Sequence, residues 1–223
     1  MADLFDAPQE AVAGIPDGAT VMIGSFGTAR QPVELIEAPL ACRASDLVVI
    51  NNTAGNGGSL AAPITAGQVR KIICPFPRQP DSRNLDNTHH AVEIELELVA
   101  QGNLTQRIRA AGAGIGAFYT PTGFGTLLAD GNEQRVIDGK PYELESPIRA
   151  DFALIVAFVA DRLGNLVYRK TDLAEFSGDD RPAVARDLFG AGLDRLQEIV
   201  EIPLVDRTQP HGNPHVIFGG STL

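Results

Sequence analysis

Short apolar runs that stop abruptly at glycine, asparagine or proline, each followed by a segment of helical spacing, constrain this chain more than any other feature. Residues 20–23 (TVMI) end at Gly24, residues 47–50 (LVVI) end at Asn51 and Asn52, and residues 69–74 (VRKIIC) end at Pro75. Runs this brief and this apolar suit strands covered on both faces. Residues 32–40, 60–67 and 104–111 carry the intervening helical patterns. Strands alternating with helices predict an α/β fold, an open and mainly parallel sheet with helices on both faces. Ligands of such sheets collect at the carboxyl ends of the strands. The loops that open at Gly24, Asn51, Pro75 and Gln101 are therefore the places to look for a site.

The rest of the chain reads in the same terms. Residues 4–12 have a helical pattern, with a turn at 15–18 before the first strand of the alternation. Residues 94–99 alternate apolar side chains with glutamate, as in a strand with one wet face, and pass through Gln101-Gly102-Asn103 as a loop. A glycine-rich flap follows, with Gly112, Gly114, Gly116, Gly123 and Gly125, and then a hairpin insertion over 136–144 that turns at Asp138-Gly139. Residues 151–159 and 166–168 read as strands, 183–196 as an amphipathic helix and 197–202 as a late strand, while 211–223 read as irregular. With no linker, repeat or low-complexity stretch, residues 1–223 are expected to form one domain.

Composition narrows the partners. Eighteen basic residues against 28 acidic ones give a formal charge of −10, which argues against nucleic acid, whose phosphates need a basic surface. A small anion held by local N–H groups remains compatible with that charge. No run of about 18 apolar residues suggests a membrane span, and the acidic start MADLFDAPQEAVAG lacks the basic and apolar regions of a signal peptide. Cys42 and Cys74 have no metal or redox spacing and fit buried thiols of a reducing cytoplasm. His89 and His90 are adjacent and so point apart, which disfavours a shared metal ion. No metal site is expected.

The stretch DGATVMIGSFGTARQP, residues 17–32, combines strand, tight loop and helix start. Unpaired backbone N–H groups at such a junction attract an anion, and glycine lets it approach. The same spacing also serves ordinary turns between strand and helix.

The phrases DGATVMIGSFGTARQP, NNTAGNGG, VRKIICPFPRQPDS, IELELVAQGNLTQRIRAAGAGIGAFYTPTGFGTLL, ADFALI and GNLVYRK occur in order between about residues 11 and 170. In these the chain resembles the A-type subunit of the family I coenzyme A transferases. The likeness fades from Asp172 onward. The resemblance implies an open α/β fold and an assembly, heterodimer or heterotetramer, with a homologous B-type subunit. It also implies ping-pong transfer of CoA from succinyl-CoA to a 3-oxoacid through a glutamyl-CoA thioester, a covalent relay that divides one hard step into easier ones. Among family members the phrases come nearest to those using 3-oxoadipate, with acetoacetate next. The family's nucleophilic glutamate lies in a Ser-Glu-Asn-Gly type motif of the B-type subunit, absent here. No catalytic residue is therefore expected from this chain; Glu93, Glu95 and Glu97 are spaced as a strand's wet face. The CoA thioester enters as substrate, with no permanently bound cofactor.

By position, the resemblance implies CoA binding at the loop of Gly24, Ser25, Phe26, Gly27, Thr28, Ala29 and Arg30, with Ser25 and Arg30 standing where the family usually has glycine. It implies contact with the acid or acyl group by Asn51, Asn52, Gln101 and Gly102. Arg78, on the stiff segment PFPRQP, is a candidate from charge alone for the distal carboxylate of a dicarboxylic acid. The glycine-rich segment with Phe118 and Tyr119 fits packing against the B-type subunit, or a flap over the site. Two other readings stay open: a non-catalytic acyl-CoA or carboxylate-binding paralogue, and a sugar-phosphate isomerase or sensor of the same fold.

Overall fold

The computed structural model describes residues 3–5, 7–25, 31–38, 44–54, 60–77, 94–157, 159–160, 166–167, 197–201 and 215–218. In chain order the elements are β1 (Asp3–Phe5), α1 (Pro8–Val12), β2 (Thr20–Ile23), α2 (Val33–Glu37), β3 (Leu47–Asn51), α3 (Ala61–Thr65), β4 (Val69–Cys74), β5 (Glu95–Leu98), α4 (Gln101–Gly112), β6 (Phe118–Thr120), β7 (Gln134–Ile137), β8 (Lys140–Glu145), β9 (Phe152–Val156), β10 (Val159–Ala160), β11 (Leu166–Val167), β12 (Gln197–Glu201) and β13 (His215–Phe218).

Eight strands form one sheet in the order β1-β13-β12-β9-β2-β3-β4-β5. From β12 through β5 every neighbouring pair is parallel, whereas β13 pairs antiparallel with both β12 and β1. The period of two expected of strands sorts the core. Val21, Ile23, Leu47, Val49, Ile72 and Leu154 face one side with Val12, Leu35, Ile36 and Ile64 of α1, α2 and α3. Met22, Val48, Ile50, Ile73, Ala153 and Ile155 face the other, against Leu104 of α4 with Ile108 packed alongside. Helices thus cover both faces, as the alternation in the sequence predicts.

Successive strands β2 to β5 are added in one direction, whereas β9 returns to the opposite side of β2. The strand order reverses between β2 and β9, and adjacent loops diverge there to leave a crevice. A second sheet, β6-β8-β7, carries the hairpin. Asp138 and Gly139 both have positive φ, 50° and 75°, the backbone of the tight turn that their sequence demands.

Three expectations are corrected. Residues 4–12 are not one helix: Leu4 and Phe5 belong to β1, and the helix begins at Pro8, a ring-locked residue suited to a first turn. Gln101-Gly102-Asn103 is not a loop but the first turn of α4. The terminal stretch read as irregular contains β13, which pairs with β1 and β12. Cys42, His89, His90, Glu93 and the helix read at 183–196 lie outside the described residues. Cys74 is fully buried, and that burial pushes its thiol up to about 11, leaving it a packing residue. Among the described residues no helix is long and apolar enough to cross a membrane, and no group of three acidic, histidine or cysteine side chains could hold a metal ion.

Candidate functional site at the carboxyl edge of the sheet

Gly24 leaves β2 at the point of strand reversal. Its N–H donates to the Leu154 carbonyl of β9 at 2.9 Å, and a Cβ there would stand 3.3 Å from the Ile155 side chain. Glycine therefore lets the two strand ends close. Ser25 follows, 1% exposed.

Asn51, the last residue of β3, has both sides of its amide engaged. Its Nδ2 donates to the Ile23 carbonyl at 2.8 Å and to Ser25 Oγ at 3.0 Å, while its Oδ1 accepts from Thr53 N–H at 2.8 Å. A neutral amide has the donors and acceptor to stitch two strand ends together without burying a charge. Because Ser25 Oγ accepts from Asn51, its own hydrogen points elsewhere. Asn52 is half-buried and makes only a long 3.5 Å contact to Thr53 Oγ1 among the described residues. Beyond β3 and β4 the pairing extends through a parallel bridge of Thr53 with Phe76, a residue that is 45% exposed.

Gln101 and Gly102 are exposed on the first turn of α4, at the carboxyl end of β5. That strand lies two places from β3, about 10 Å along the same edge. A Cβ on Gly102 would meet Thr122 at 3.3 Å, so this glycine admits the turn over residues 121–126. The structure thus brings Gly24, Ser25, Asn51, Asn52, Gln101 and Gly102 to one edge. Phe26, Gly27, Thr28, Ala29, Arg30 and Arg78 lie outside the described residues.

A polar corner beside Gln101 is not announced by the sequence. Between the carboxyl end of β5, the start of α4 and β8 lies a cavity of about 290 Å³ whose lining includes Glu97, Ala100, Asn103, Arg107 and Glu145. Glu97 does not merely face water. Lys71 Nζ lies 2.8 Å from both Glu95 and Glu97, and Arg107 lies 3.2 Å from Glu97. The hydrogen bonds to Glu95 and Glu97 hold Lys71 above its ordinary value. Burial opposes ionisation of Glu97, but Lys71 and Arg107 outweigh it and hold the carboxyl low. Glu145 behaves oppositely: burial raises it, and the hydrogen bond from Asn103 and the nearby Arg107 offset this only in part. Two carboxylates against one guanidinium in the lining make this corner a poor receptor for a substrate carboxylate. Asn103, read as a loop residue, Glu143, read as a hairpin residue, and Glu145, just beyond the hairpin, gave no hint of burial; the Y-E-L-E spacing on one strand face was the available signal.

The coenzyme A transferase family model matches residues 5–217, so the family pattern continues beyond Asp172, where the motif likeness fades, into β12 and β13. The chain is 58% identical over 167 residues to the A-type subunit of the 3-oxoadipate CoA-transferase of Pseudomonas putida, covering 74% of this chain and 72% of that protein. It is 42% identical over 206 residues to the A-type subunit of the succinyl-CoA:3-ketoacid coenzyme A transferase of Xanthomonas campestris, covering 90% and 81%. Among solved structures, a variant of the decarboxylase AibA/AibB superposes with a TM-score of 0.65 at 23% identity, over 89% of this chain and 76% of that one, a likeness of fold alone. With its two-sided parallel sheet and a family match over nearly its whole length, the chain belongs to the coenzyme A transferase family.

Proposed function

We propose that this protein is the A-type member of a two-subunit transferase that moves CoA from succinyl-CoA to a 3-oxoacid, with 3-oxoadipate as the acid. The observation that supports the reading is the gathering of Gly24, Ser25, Asn52 and Gln101 along the carboxyl edge of the sheet, in a chain with the relatives described above. Residues 1–223 act as one cytoplasmic domain in this proposal. The B-type subunit brings the glutamate whose carboxylate attacks the thioester, and the CoA thioester is a substrate, not a resident cofactor.

Each residue has a physical task. Gly24 and the loop that follows form a close-approach surface for the anionic CoA chain. Asn51, with its amide engaged on Ile23, Ser25 and Thr53, acts as scaffold and fixes Ser25. Asn52 and Gln101 are the neutral donors for an acid carboxylate or for the oxyanion that develops during acyl transfer. Gly102 sets how near the 121–126 turn approaches Gln101. Arg78 is retained as the partner for the distal carboxylate of 3-oxoadipate; Arg78→Ala then raises KM for that acid far more than for acetoacetate.

Reconstitution with a homologous protein carrying the glutamate motif tests the proposal. CoA exchange between succinyl-CoA and 3-oxoadipate is expected only when both chains are present. Turnover by this chain alone would overturn the division of labour. Preference for acetoacetate would move the substrate assignment to the succinyl-CoA:3-ketoacid class, which the Xanthomonas relative favours.

A further inference from the structure

Asn103 on α4 is 2% exposed, and its single amide nitrogen faces three acceptors: the Thr122 carbonyl at 2.9 Å, Glu143 Oε1 at 2.9 Å and Glu145 Oε1 at 2.7 Å. The amide has two hydrogens for them. Two of the three acceptors are carboxylates, with Glu143 1% and Glu145 9% exposed. In the same two side chains, Asn103 Oδ1 and Glu143 Oε2 are both buried without a hydrogen-bond partner. A cluster with three acceptors for two amide hydrogens, and two further oxygens with no donor at all, is short of a proton.

The surrounding charges do not supply it. From α4, Arg107 stands 3.7 Å from Glu145 and is engaged with Glu97 and the Ser146 carbonyl. From β4, Lys71 is held by Glu95 and Glu97 of β5. The 121–126 turn presents the Thr122 carbonyl and Gly123, and no cation touches Glu143 among the described residues. Four carboxylates therefore face two cations.

We infer that Asn103, Glu143 and Glu145 form a latch that carries one proton shared by the two carboxyl groups and fixes the Gln101 end of α4 against β8 and the 121–126 turn. With that proton on Glu143 Oε2, the carboxyl becomes a donor to Asn103 Oδ1, and the amide donates in return to Oε1. Acid and amide then make two parallel hydrogen bonds, one buried carboxylate loses its charge, and both orphans are satisfied. Burial raising Glu145, with Glu143 and Glu97 adding to it, acts in the same direction. The proton belongs to the pair and not to either residue alone. Asn103 lies two residues after Gln101 on the same helical turn, so Glu143 is a positioning residue for Gln101. That role rests on the transferase reading; the latch itself does not.

Glu143→Gln and Glu143→Ala separate the possibilities. Glutamine keeps the shape, the neutrality and a donor for Asn103 Oδ1; alanine removes all three. In the two-chain complex, Glu143→Ala is expected to lower kcat about tenfold with little change in KM, and Glu143→Gln to restore it. In the full chain, difference infrared spectra should contain a protonated-carboxyl C=O band at neutral pH that Glu143→Gln abolishes. The folded latch holds a proton that unfolded glutamates release, so wild-type stability falls as rising pH removes it. The Tm of Glu143→Gln relative to wild type should then climb from mildly acidic to mildly alkaline pH. Absence of the infrared band, or parallel Tm curves, would overturn the latch. A complex without transferase activity would overturn the function proposed above while leaving both of these readouts intact.

Discussion

Two buried asparagines, one at the end of β3 and one just beyond β5, pin the same sheet edge, and they do it differently. Asn51 joins β2 to β3 through two donated and one accepted hydrogen bond, all to neutral groups. Asn103 joins α4 to β8 through two carboxylates and a carbonyl, with its own oxygen unpartnered. The first junction is complete at any pH at which the protein is folded. The second depends on protonation, and the neighbouring carboxyls pull it both ways. Glu97, held low by Lys71 and Arg107, contributes stability that is present above the ordinary glutamate value and is lost as pH falls through its own lowered one. Glu145, raised by burial, contributes stability that is lost as pH rises. A scaffold made of amides tolerates conditions; one made of acids reports them.

Asn51→Asp is the severest way to break the contrast, because it removes both donors and buries an anion against the Ile23 carbonyl. A loss of about 3 kcal/mol in denaturant unfolding is expected. Gly123→Ala strikes the other junction: the φ is +90° and the new Cβ would lie 2.6 Å from Glu143 Oε1. About 2 kcal/mol is expected there, read by the same unfolding curves. Gln101→Ala sharpens the division between scaffold and chemistry. It should reduce kcat of the reconstituted pair by about tenfold or more, while changing stability by less than about 0.5 kcal/mol. The smallest effect belongs to Arg70→Ala, which removes the exposed 3.1 Å ion pair with Asp46. It should cost well under about 1 kcal/mol and vanish at high salt.

Local signals carried the centre of the fold into the sequence. The strand over Val69–Cys74 has the residues its apolar run implies, and Asp138-Gly139 turns the hairpin because both positions take positive φ. The edge escaped for a physical reason. β1 is a short strand that exists through pairing with β13 across most of the chain, a contact that no local pattern encodes. Leu4 and Phe5 are apolar either way, so their spacing fits a helix as readily as a strand. The sheet edge that carries the candidate site was legible where a strand end has glycine or paired asparagines. It was not legible at Glu143 and Glu145, since alternating glutamates on a hairpin read as solvated until α4 is seen to cover that face.

Among the described residues β5 ends the large sheet on one side, and along it Glu95 and Glu97 alternate with Leu96 and Leu98 while Lys71 reaches over from β4 to both acids. A foreign strand aligning there would have to settle beside fixed carboxylates at every second residue, an unfavourable template for continued stacking between molecules. Self-association along this margin is thereby disfavoured. Replacing both glutamates with valine would convert the same margin into a nucleus for aggregates.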